Sequence, residues 1–136
     1  MTKAAGVRSD TVQYTGGMLQ THDSGLIAFA VGAVSGQGAT VALTDLTVVQ
    51  ALLTVVAQAT SANAKINVGK QGDSDSNLDA YSLYNVAAGT YDITNAAEWV
   101  SKTFARGDVI MSEAEAATAV GSYVLTLVLA PTSLAA

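Results

Sequence analysis

Leu46–Gly69, LTVVQALLTVVAQATSANAKINVG, is the longest apolar stretch of the chain and ends at its sharpest change of character. Beyond Gly69 the sequence turns polar and acidic, through Lys70, Gln71, Gly72, Asp73, Ser74, Asp75, Ser76 and Asn77. Whether this run is strand or helix decides the fold. Thr47, Val48, Val49, Thr54, Val55 and Val56 are β-branched, which costs χ1 freedom in a helix and suits a pleated surface. On alternate positions Val49, Ala51, Leu53, Val55 and Ala57 form an apolar face, while Gln50, Leu52, Thr54, Val56 and Gln58 form a mixed one. The pattern predicts a strand buried fully on one side and partly on the other. A helical alternative exists, because Val48/Val49, Leu52/Leu53 and Val56 also recur at helical spacing and Asp45 could cap it.

Outward from this run, short strand candidates alternate with turn signals. Met18–Thr21, Leu26–Val34, Thr40–Leu43, Lys65–Val68, Ala80–Val86, Thr90–Ile93, Trp99–Phe104, Val109–Met111 and Tyr123–Leu129 read as extended, with Pro131 stopping the last. Between them stand His22–Gly25, Ser35–Gly38, Thr44-Asp45, Thr60–Asn63, Ala88-Gly89 and Arg106–Asp108. Ser112–Gly121 has room for one helical turn. Strands this short, with turns every 8–12 residues, predict an all-β antiparallel sandwich or barrel. Residues 1–17 are polar and read as an extended N-terminal arm; residues 18–136 read as one β domain, a length that suits a single core.

Composition removes several function classes. Charged residues make up 12% against a usual quarter or so, which suggests a surface covered in part by neighbours. The net charge is -5, and Lys3, Arg8, Lys65, Lys70, Lys102 and Arg106 are scattered, so no basic footprint for nucleic acid is expected. There is no cysteine, no apolar signal-peptide core in the first residues, and no uninterrupted apolar run long enough for a membrane helix.

Four constellations invite chemistry. His22-Asp23-Ser24 holds the one histidine, but adjacent side chains in a turn point apart, whereas a triad is assembled from separated residues. Asp73, Asp75, Asn77 and Asp79 alternate like the first half of a calcium loop. Leu78 stands where such a loop needs glycine, and Tyr84 where it needs glutamate, so a solvated acidic loop without a metal is expected. Arg106-Gly107-Asp108 spells the integrin tripeptide and reads as a turn with Gly107 at positive φ. Glu98 and Lys102 could pair, and Trp99 reads as a packing residue. No catalytic, cofactor-binding or metal-ligating residue is therefore assigned, and no enzyme is expected.

Several segments together resemble small tailed-bacteriophage virion proteins, in particular capsid decoration (cement) proteins and head or tail fibre modules. They are Asp23–Val31, Ala42–Leu46 leading into the central run, Ala64–Gly69, Ala87–Tyr91, Ala105–Ile110 and Val120–Leu129. The resemblance implies a β-sandwich or jelly-roll domain, often trimeric, with no catalytic residues. It implies a decoration protein on the outer surface of the virion head, made in the host cytoplasm. Its partners would be the major capsid protein and its own copies, as a homotrimer, with no nucleic acid and no membrane. The alternative is a fibre or receptor- and glycan-binding module.

Overall fold

In the computed structural model, residues 19–31 and 37–134 are described; the expected arm, and the Ser35-Gly36 half of the expected Ser35–Gly38 turn, lie outside them. Ten strands form two antiparallel sheets. Sheet A contains β1 (Gln20–Asp23), β2 (Ile27–Ala28), β4 (Leu46–Ala57), β7 (Gly89–Asp92), β8 (Thr103–Phe104) and β10 (Ser122–Pro131). Sheet B contains β3 (Gln37–Val41), β5 (Lys65–Lys70), β6 (Asp73–Ser82) and β9 (Val109–Ala114). The central run is a strand, β4, and it pairs with β10 along its whole length.

The winding is that of a jelly roll. β1 and β2 share one flank of β10, and β7 and β8 share one flank of β4, so each pair fills a single strand position. Sheet A then runs β1/β2, β10, β4, β7/β8, and sheet B runs β3, β9, β5, β6. First pairs with last, second with second-to-last, and so inward to the β5–β6 hairpin, the double Greek key of jelly rolls.

The core lies between the sheets. Leu46, Val48, Ala51, Leu53 and Val55 of β4 meet Tyr123, Leu125, Leu127 and Leu129 of β10 on one side, and Ile66, Val68, Leu78 and Ile110 on the other. Strict alternation placed Val49 and Ala57 inward, and both are exposed. The reason is two β-bulges. Leu129 opposes Val48 while Val128 opposes Gln50, and Tyr123 opposes Val55 while Ser122 opposes Ala57, so Val49 and Val56 are the extra residues. Each insertion reverses the side-chain phase.

Several boundaries also differ from the sequence reading. Of the expected strand Leu26–Val34, Ile27–Ala28 is strand and Phe29–Val31 turns through a 3₁₀ segment, while Gly32–Val34 lie outside the described residues. Thr118 N–H donates to Phe29 O and Phe29 N–H to Gly121 O, so the chain there answers a loop rather than a neighbouring strand. Gly121, at φ 117°, is required: a Cβ would stand 2.7 Å from that of Ala59. The acidic segment is not a loop. Asp73–Ser82 is a strand whose backbone crosses Gly69 so closely that a Cβ there would meet Asp73 O at 2.2 Å. Ser112–Ala114 extends β9 instead of starting a helical turn.

Candidate functional site

One end of the jelly roll gathers the start of β1, the end of β10, the start of β4 and the β3–β4 and β8–β9 turns. Gln20 ties it together: its Nε2 donates to Val41 O (3.1 Å), and its Oε1 accepts Leu43 N–H (2.9 Å). Asp45 is the second knot, accepting Arg106 N–H on its carboxylate (2.9 Å) and Thr132 N–H on its carbonyl (2.8 Å). Ala42 bonds both ways with the β8–β9 turn, donating to Asp108 O and accepting from Gly107 N–H. Backbone polarity is thus spent internally. Beside exposed Thr44, Asp45 and Arg106, this end presents four large aliphatic side chains to solvent: Leu19 is 59% exposed, Val41 52%, Leu43 72% and Leu134 61%. Four large aliphatic side chains at one end make it the candidate protein-contact surface of the molecule. The signal was present in the sequence as aliphatics beside turn residues, in Leu43-Thr44-Asp45 and in Leu134 beyond Pro131, but nothing local showed that they share one end.

Arg106-Gly107-Asp108 lies on the same rim as a turn, with Gly107 at φ 91°. Asp108 N–H donates to Ala105 O, and Asp108 Oδ2 accepts Ala105 N–H (2.8 Å), so the carboxylate serves its own turn.

His22, Asp23 and Ser24 diverge. His22 belongs to β1 rather than a turn and is fully buried between the sheets, with Nε2 2.7 Å from Ser112 Oγ and Nδ1 3.1 Å from Thr40 Oγ1. Ser24 Oγ donates to Gly25 O and accepts Leu125 N–H, while Asp23 Oδ1 accepts Gly25 N–H. The histidine cross-links β1, β3 and β9 inside the core.

Asp73, Asp75 and Asp79 stand exposed along β6, whereas Asn77 turns inward and donates to Ser101 O (3.1 Å) and Thr103 O (2.9 Å). Among the described residues no three acidic or histidine side chains converge as metal ligands. Trp99 is half-buried and packs on the core, and its indole N–H donates to Ile93 O (2.8 Å). Glu98 and Lys102 do not pair: Lys102 Nζ reaches Asn95 Oδ1 (3.4 Å), and Glu98 O accepts Asp79 N–H.

Among the described residues, Tyr123, Tyr81 and Asp92 are displaced from their ordinary titration ranges. Burial, aided by the charge of Glu113, holds the Tyr123 hydroxyl protonated far above the usual tyrosine range. Burial, then Glu98, raises Tyr81. The hydroxyl and backbone N–H of Thr94 lower Asp92.

No protein-family model matches the chain, and no curated protein matches it. Among solved structures the chain is similar to one described as "Cyanophage Pam1 capsid asymmetric unit", at 16% identity and a TM-score of 0.46, with 94% of this chain and 95% of that chain covered. A likeness of that size carries no functional weight.

Proposed function

We propose that the chain is a non-enzymatic structural protein of a tailed-phage virion: a decoration protein that docks on the major capsid protein lattice at the outer surface of the head and associates with copies of itself. The observation that carries the reading is the aliphatic end, where Leu19, Val41, Leu43 and Leu134 project from a hydrogen-bonded rim. The phage-like character of residues 20–130 supplies the class of partner. Jelly rolls recur in viral capsid, lectin and cupin domains, and the winding alone does not choose among them. Cupin-type chemistry needs clustered ligands, and the one histidine spends both ring nitrogens on hydroxyls. A glycan-binding module needs a bare aromatic platform; Trp99 is packed with its N–H engaged, and among the described aromatics Tyr84 alone is exposed, which ranks the fibre reading second.

Leu43→Asp and Leu134→Asp together test this. Both side chains are exposed, so the domain should melt as the wild type does. Co-sedimentation with capsids lacking the protein should weaken by about tenfold or more, the loss expected when an apolar contact must bury charge. Undiminished binding would remove this end as the docking surface.

A further inference from the structure

The two faces of the molecule differ in charge. Strands of sheet B contain Lys65, Lys70, Asp73, Asp75, Asp79 and Glu113. The six strands of sheet A contain two carboxylates, Asp23 on β1 and Asp92 on β7, at opposite margins, and each accepts hydrogen bonds from its own following turn. Between those margins the outer face is Val49, Leu52 and Val56 of β4 beside Val124, Thr126 and Val128 of β10, with hydroxyl and amide side chains and no charge. The bulges sharpen this surface, since Val49 is 43% exposed and Val56 51%. A sheet face open to water ordinarily alternates toward charged and polar residues. Depletion of charge at the centre with polar groups at the rim is the composition of a protein interface.

We propose that the outer face of sheet A is the surface on which two copies of this chain pack, sheet against sheet. Its size is adequate. Ten paired positions of β4 and β10 run about 34 Å, and four strand positions span about 19 Å. That gives roughly 650 Å² on each partner, or about 1,300 Å² per pair, within the range of stable interfaces. Its chemistry is self-complementary. β-branched and hydroxyl side chains on a twisted sheet interdigitate with their own copies in aligned packing, and a two-fold contact requires one patch to match itself. Asp23, opposite Thr126, and Asp92, opposite Leu52, stand on the outer strands of that span, so they belong to its polar rim and not to its uncharged centre. This contact rests on the self-association included in the proposed role, and it places a pair where the sequence reading expected a trimer.

Val49→Lys with Val56→Lys tests it, because both side chains are already exposed and neither belongs to the core. Sedimentation velocity of the full chain at tens of micromolar should show a mass of two chains, and the double variant should run as one chain that still unfolds cooperatively, its melting temperature lowered only by the lost association. A wild-type monomer at every concentration, or an oligomer that survives both lysines, would overturn the contact. Capsid co-sedimentation of the same variant separates the two proposals. Binding retained by a monomer leaves the decoration role standing without this interface as a requirement. Self-association without capsid binding supports the interface and counts against the decoration role.

Discussion

Tyr123 shows how one residue can set a pH limit. Its ring is fully buried and meets Phe29 with ring centroids 5.6 Å apart, yet its hydroxyl has no hydrogen-bond partner. An unsatisfied buried hydroxyl carries a desolvation cost of about 1–3 kcal/mol, so Tyr123→Phe should raise stability, by about 1 kcal/mol and roughly 3 °C in Tm. Burial raises the folded-state pKa above that of the unfolded chain, where tyrosine titrates near about 10. Below that pH both states are protonated and stability is unaffected by further acidification at this site. Above it the unfolded chain loses the proton first, so stability falls as pH rises. Tyr81 acts in the same sense. Asp92, whose folded pKa is lowered, acts in the opposite one, its contribution fading as pH falls. Urea unfolding at pH 8 and pH 11 should therefore show a larger alkaline loss for the wild type than for Tyr123→Phe. Equal losses would show that the phenol is not the group responsible.

At the scale of elements, the β5–β6 hairpin holds the strain. Ala80 adopts φ 55°, a conformation costly for a residue with a Cβ, within a bulge where Ile66 opposes Tyr81 but Val68 opposes Leu78. Asn67 holds it there: its Oδ1 accepts Ala80 N–H (2.8 Å), and its Nδ2 donates to Glu113 Oε2 (3.3 Å), which also accepts Ser74 Oγ (2.9 Å). Asn67→Ala should cost about 2 kcal/mol by leaving these groups unpaired, whereas Ala80→Gly should gain about 0.5 kcal/mol by relieving the left-handed backbone. Shifted urea midpoints at constant slope would report both, and a destabilised Ala80→Gly would contradict the strain assignment. The same hairpin marks where the sequence stopped being legible. β4 and β10 announced themselves through β-branched alternation, because each has one face fully in the core. β6 did not, because Asp73, Asp75 and Asp79 face water and read as a loop, while the residues that tie it down, Gly69, Asn67 and Asn77, act through backbone crossings and long-range bonds. The phase errors at Val49 and Ala57 have the same origin: a bulge is a property of two paired strands, and β4 alone carries no sign of it.

At the scale of the whole molecule, the sequence pointed to an all-β domain and a charge-poor surface, and the structure divides that surface in two. The end built on Gln20 and Asp45 faces along the strands, and the face of sheet A, uncharged at its centre, lies across them. Neither could be read from spacing. Leu19, Leu43 and Leu134 come from three distant parts of the chain, and they meet because jelly-roll winding returns β10 between β1 and β4. The proposed docking end and self-packing face, with a charged sheet opposite, would suit repeated placement on a lattice better than single delivery of a ligand site. The central claim is that this placement is on a phage head, and copy number tests it most directly. On the proposed role, quantitative mass spectrometry of purified virions carrying the chain should find it in hundreds of copies, in fixed proportion to the major capsid protein. A dozen copies or fewer, or absence from the particle, would contradict the decoration role, the former pointing to a fibre or vertex and the latter away from the virion.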